Sequence, residues 1–171
     1  MLSEKMEKAL NEQVNREYFS AYLYLSMVAY FESLNLPGFA AWMRAQTQEE
    51  MFHGTKMYDH INERGGRVIL KAIDCPETVW ASPLAAFDAA LAHEQFISGC
   101  INDLVTAARG ENDHASDIFL QWFVTEQVEE EQSVGNVAQQ LKLVGNSPDA
   151  LLMIDRELGA RVFNLPATGG A

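Results

Sequence analysis

Proline, cysteine and positive charge are scarce in this chain, and it has no long apolar run. Of its 171 residues, five are proline and two are cysteine. An interior proline removes a backbone hydrogen bond and clashes with the preceding turn, so a chain this poor in proline has room for long helices. Cys75 and Cys100 stand far apart in no Cys-x-x-Cys pattern. That argues against a disulfide framework or a thiolate zinc site and suits a reducing compartment. Twelve lysines and arginines face twenty-four aspartates and glutamates, a formal charge of −12. Nucleic acid calls for a basic face, so that partner is not expected and cations are favoured. No stretch approaches the ~20 apolar residues of a membrane span. Glu4, Lys5, Glu7, Lys8 and Glu12 occupy the start, where an export signal would be apolar, so a cytoplasmic protein with no membrane partner is expected.

Hydrophobic residues make up 48% of the chain, enough for one helix-rich core, and punctuation divides it into four long segments and a short one. The first runs from about Ser3 to Leu34 and stops at Asn35-Leu36-Pro37-Gly38. A second follows to Arg64 and is closed by Gly65-Gly66, glycine being common just past a helix C-terminus. Arg67 to Ala81 shows no helical period and reads as one long connection. Ser82-Pro83, a capping hydroxyl followed by a proline at the first helical position, opens the third segment, which ends at Gly110. The fourth runs from near Asp113 to Gly145, and Ser147-Pro148-Asp149 starts a fifth helix reaching about Ala160. Residues 1–160 therefore read as one domain and 161–171 as a flexible tail. Leu165-Pro166-Ala167-Thr168-Gly169 in that tail resembles a sorting signal, but no apolar anchor follows.

Loop lengths set the topology. Short turns make the first and second segments antiparallel, and likewise the third and fourth. A connection of about fifteen residues spans up to ~50 Å, longer than the ~40 Å of the helices it must pass. The second and third helices can thus run parallel. The fold expected is all-α: a four-helix bundle with one long crossover connection and a short fifth helix.

Each long segment carries a stripe at alternating three- and four-residue spacing, apolar at both ends and polar in the middle. The interruptions are Glu17 on the first, Gln46, Glu50 and His53 on the second, Glu94 and Ser98 on the third, and Gln127 and Glu130 on the fourth. At ~1.5 Å per residue the four glutamates fall roughly 16 to 25 Å from the first turn, in one slab. Buried carboxylates without partners cost several kcal/mol each, and no stripe lysine or arginine is available to pair with them, so a multivalent cation is the simplest compensation. Glu50-x-x-His53 puts a carboxylate and an imidazole on one face. Oxygen-rich ligation with one imidazole suits Fe(II) or Mn(II), although zinc fits the same atoms. Two metals need a bridge. Glu50 is the natural one, leaving Glu17 and His53 to the first metal and Glu94 and Glu130 to the second. Tyr24 lies two turns from Glu17, near enough for its hydroxyl to approach the pair.

With these residues in view, the chain resembles the bacterial non-haem ferritins over nearly its whole length. The resemblance is carried by Asn11-Glu12-Gln13, Gln48-Glu49-Glu50-Met51-Phe52-His53 and Leu120-Gln121-Trp122-Phe123-Val124-Thr125-Glu126-Gln127. It implies a ferritin-like di-iron domain, a homo-oligomeric shell of twenty-four subunits, ferroxidase activity on Fe(II) with O2 or H2O2, and a stored ferric mineral. Gln127-x-x-Glu130 stands where a bacterioferritin would offer Glu-x-x-His, which favours the non-haem type and implies a weaker second iron site that includes Gln127. Glu49, Glu126 and Glu129 lie one position off the stripes. Alone they read as a solvated face, whereas the resemblance implies a third iron site sharing Glu130. It also implies that Tyr24 tunes the centre or supplies electrons. Trp122 reads as packing, and Asp117 matches a channel-lining residue by position only. Met51 corresponds to the haem-holding methionine of bacterioferritins, but methionine in a helix interface is mostly packing, so haem is not expected. Three rivals remain: a haem-binding bacterioferritin-type ferritin, a rubrerythrin-like peroxidase, whose Cys-x-x-Cys module is missing here, and a metal-free helical interaction protein, which leaves the acidic slab unexplained.

Overall fold

In a computed structural model of the chain, residues 2–164 are described. They form α1 (Glu4–Ser33), α2 (Pro37–Glu63), α3 (Pro83–Gly110), α4 (His114–Val144) and α5 (Pro148–Leu158). Helix starts follow the capping chemistry in the sequence. Ser3 accepts from Met6 N at 3.1 Å, Ser82 from Ala85 N at 3.1 Å, Asp113 from Ser116 N at 3.2 Å and Ser147 from Ala150 N at 3.4 Å. Each supplies an acceptor to one of the orphan N–H donors of a first turn.

Helix α2 has no cap of its own. Its first turn is capped across the fold by Asp155 of α5, whose Oδ1 accepts from Gly38 N at 2.8 Å and Phe39 N at 3.0 Å. The approach is so close that a Cβ on Gly38 would lie 1.6 Å from the Asp155 carbonyl oxygen. Only glycine permits this docking.

Residues 64 to 82 contain no helix and climb the length of α1. Near its start, Asn11 receives Ile69 N at 2.6 Å and donates to Arg67 O at 3.0 Å. Farther along, Ser26 donates to Glu77 O at 2.6 Å, and the buried Trp80 packs edge-on against Tyr30 at 5.2 Å. These side chains satisfy backbone groups that no secondary structure pairs. Because α2 ends beside the start of α1, the climb returns the chain to the opposite end and lets α3 run parallel to α2. Cys75 is exposed, Cys100 is buried and both are free. Among the described residues no helix is long and apolar enough to cross a membrane.

Two apolar clusters fill the bundle. One holds Phe31, Phe39, Trp42 and Phe87 near the α1–α2 turn, and the other holds Leu10, Met57, Ile61, Leu120 and Phe123 at the far end. Each fully buried side chain of this kind contributes about 1.5–3 kcal/mol. Between them lies a polar layer. The sorting-signal resemblance at residues 165–169 lies outside the described residues. Arg161 to Asn164, assigned to the tail from sequence, are described, and Arg161 and Phe163 are half-buried against α2.

Candidate metal centre

Stripe spacing on four antiparallel-paired helices delivers Glu17, Glu50, His53, Glu94 and Glu130 to the polar layer, each no more than 3% exposed. Two groups of potential ligand atoms form there, Glu17–Glu50–His53 and Glu50–Glu94–Glu130, with atoms in each group within 4.8 Å of one another. Glu50 belongs to both. Glu17 Oε2, Glu50 Oε1 and His53 Nε2 are buried without any hydrogen-bond partner among the described residues. Buried polar atoms in folded proteins are almost always paired, so three orphans on adjacent residues mark a place built for a ligand.

Four other oxygens of the layer, on Glu17, Glu94 and Glu130, accept from neutral donors. Gln13 Nε2 donates to Glu17 Oε1 at 2.8 Å, Gln46 Nε2 to Glu130 Oε2 at 2.6 Å and Gln127 Nε2 to Glu94 Oε2 at 3.2 Å. The Tyr24 hydroxyl donates to Glu94 Oε1, and His53 Nδ1 lies 3.4 Å from Glu50 Oε2. No lysine or arginine among the described residues pairs with any of the four glutamates.

Burial therefore dominates their protonation. It lifts Glu17 to about 7 against the opposing Gln13 hydrogen bond, and Glu94 to about 8 against the opposing Tyr24 hydroxyl. Glu50 and Glu130 are pushed well above the carboxylate range, by burial first and then by the neighbouring negative charges. Burial and the Lys56 charge hold His53 down to about 3, leaving a neutral imidazole, the form that ligates metals. Burial and then the Glu94 charge raise Tyr24 far above its ordinary value, so the phenol stays protonated. A divalent cation would reverse the electrostatics at a stroke: opposite charge within a few ångströms favours carboxylate over carboxylic acid.

The flank residues separate into unlike cases. Glu49, Glu126, Glu129 and Glu130 line an open pocket of ≈480 Å³ together with Arg161. Glu126 joins His53 and Glu130 in a third group within 4.8 Å, whereas exposed Glu129 joins none. Glu49 is bound by Arg161 Nη2 at 2.7 Å. Trp122 meets the His53 ring edge-on at 5.4 Å, consistent with packing. Asp117 is tied to Arg109 at 3.1 Å and to Gln121 at 2.9 Å. Met51 is exposed in a shallow apolar groove with Tyr18, Tyr22, Leu25 and Ile73.

Sequence reasoning passed over three participants. Gln13 sits four residues before Glu17, a spacing that alone signals contact on a helix. Gln46 stands on the polar part of its stripe with no role assigned. Arg161 carried no local signal, because its contact depends on how the chain returns after α5.

Comparison with known proteins agrees with this geometry. The ferritin family profile, a ferritin-like domain, matches residues 7–144. A bacterial non-heme ferritin of Staphylococcus epidermidis is 41% identical over 164 residues, 96% of this chain and 99% of that protein. One from Bacteroides fragilis is 42% identical, covering 94% of this chain and 100% of its own length. Among solved structures, the open-pore ferritin of Archaeoglobus fulgidus superposes with a TM-score of 0.94 at 51% identity, over 95% of this chain and 100% of that one. A closed form engineered from the same ferritin gives 0.95 at 51% identity, over 96% and 100%. By fold, polar centre and sequence alike, the chain belongs to the ferritin family.

Proposed function

We propose that this protein stores iron, oxidising Fe(II) at a paired-metal centre and depositing it as a ferric mineral inside a homo-oligomeric cage of twenty-four subunits in the cytoplasm. The observation that carries this reading is the trio of partnerless buried atoms on Glu17, Glu50 and His53, beside a second carboxylate group that shares Glu50. In this reading Glu17 and His53 hold one Fe(II), Glu94 and Glu130 the other, and Glu50 bridges. Gln127 steadies Glu94 and, by a half-turn of its amide, can offer its oxygen to the second iron.

Each Fe(II) gives up one electron. Dioxygen accepts both, takes two protons and departs as hydrogen peroxide, or peroxide accepts both and departs as water. The protons displaced from Glu17 and Glu94 on iron binding supply that need within the site. Tyr24, hydrogen-bonded to Glu94, sets the basicity of that ligand and is placed to donate an electron. Storage requires the Fe(III) to leave, and the flank pocket of Glu49, Glu126, Glu129 and Glu130 is a waypoint for it, with Glu130 common to both places.

Glu50→Ala and His53→Ala test the assignment in the assembled protein. Both are expected to abolish the fast rise in Fe(III) absorbance after aerobic Fe(II) addition while the sedimentation coefficient stays unchanged. Initial rates equal to those of the unaltered protein would refute it.

A further inference from the structure

Just past α5 the chain folds back and lays the Arg161 guanidinium across the flank pocket. Nη2 donates to Glu49 Oε2 at 2.7 Å, and the guanidinium carbon stands 4.1 Å from the Trp42 ring centroid. Nη1 is buried with no partner among the described residues. The delivery is anchored on both sides. Before Arg161, Asp155 ties α5 to the first turn of α2. After it, Phe163 packs on Phe52 at 6.3 Å, which in turn packs on Trp122 at 5.9 Å. Among the described residues, Arg161 is the one cation lining a pocket that holds four glutamates.

We propose that Arg161 is a tethered competitor for the waypoint: it occupies Glu49 while the pocket holds no metal, and an incoming iron must displace it. The inference rests on reading that pocket as an iron site. With Glu49 engaged, a cation arriving from the centre meets Glu126, Glu130 and His53, whose ligand atoms lie within 4.8 Å of one another. Taking Glu49 as well requires breaking a charge-assisted hydrogen bond and lifting a guanidinium from an indole face. The built-in rival keeps the third metal weakly held, so that Fe(III) passes onward instead of lodging, and it balances part of the pocket's charge between iron loads. Arg161 retains enough exposure, 22% of its side chain, to swing clear.

Anaerobic titration of the full-length assembled protein with Zn(II), a redox-inert probe, tests this. In Arg161→Gln the third equivalent per subunit is expected to bind on the order of tenfold more tightly, with the difference confined to that equivalent. The gain should vanish in Arg161→Gln/Glu49→Gln. A change in Trp42 emission should accompany the third equivalent in the unaltered protein and be absent in Arg161→Gln and in Trp42→Phe. Unchanged or weaker third-equivalent binding in Arg161→Gln overturns the competitor role. If Glu49→Gln nonetheless loses the third equivalent, the waypoint stands and only this inference falls; if no third equivalent binds to any variant, both fall. Arg161→Lys, which keeps the charge, should show a smaller gain than Arg161→Gln, and an equal gain would point to lost packing and overturn the proposal.

Discussion

Protonation at single residues gives this protein an unusual pH response. Glu17, at about 7, and Glu94, at about 8, bind protons in the fold that they would release in the unfolded chain above about 4.5. Their contribution is complete below the unfolded value and is lost as pH rises through 7 and 8. Buried His53, His60 and His93 act oppositely. Held down to about 3, 4 and 4, chiefly by burial, they cost stability as pH falls through their unfolded value of 6.5, and their effect fades about one pH unit above it. The range above about pH 7.5, where the unfolded histidines have already lost their protons and Glu94, at about 8, is still titrating, therefore isolates the carboxylates. The thermal midpoint of the metal-free protein is expected to fall as pH rises across it, and saturating Zn(II) is expected to reverse that slope by displacing the protons. A second residue-scale expectation concerns Tyr24→Phe. Iron binding ionises Glu94, and removing the hydroxyl then takes from its carboxylate a charge-assisted hydrogen bond worth about 1.5–3 kcal/mol. Fe(II) binding to the Glu94–Glu130 side, read by anaerobic calorimetry, should weaken while the Glu17–His53 side is unaffected.

At the scale of elements, α5 is the least secured helix, since it is short and touches only α2 and α4. Its docking depends on Asp155 and on the absence of a side chain at Gly38. Gly38→Ala places a Cβ where the Asp155 carbonyl stands, so α5 should lift away while the four long helices persist. Deuterium exchange should then accelerate across residues 149–158 and at the Gly38 and Phe39 amides that Asp155 caps, while the middle of α2 around Gln46 and Glu50 stays slow; equal protection of α5 would show that the contact is dispensable. Helix limits were legible in the sequence to within a few residues, because Ser3, Ser82, Asp113 and Ser147 announce their starts locally. The Asp155 cap on α2 was not, since a cap supplied from over a hundred residues away leaves no local trace. Asn11 is a similar case: it sits inside a helical period, yet its amide pairs with the crossover backbone at Arg67 and Ile69.

For the whole molecule, two apolar clusters clamp a polar layer between them, and this division of labour makes the centre readable from sequence. Stripe positions must alternate toward the core, so an acid that breaks the stripe is conspicuous, and four breaks at one height identify a layer. The identities of Glu17, Glu50, His53, Glu94 and Glu130 could be found this way. The donors that hold them were only half visible, and the competitor at Glu49 was invisible, because it arises from the return of the chain after α5. Truncating a clamp residue should loosen the bundle without touching the ligands: Phe39→Ala is expected to cost about 3–5 kcal/mol by urea unfolding. The central claim is that the polar layer binds iron in pairs, and the most direct measurement is anomalous diffraction at the iron edge from crystals soaked anaerobically in Fe(II). Two peaks per subunit are expected, one against Glu17 and His53 and one against Glu94 and Glu130, with Glu50 touching both. Iron found elsewhere, with this layer left without a peak, would contradict the account.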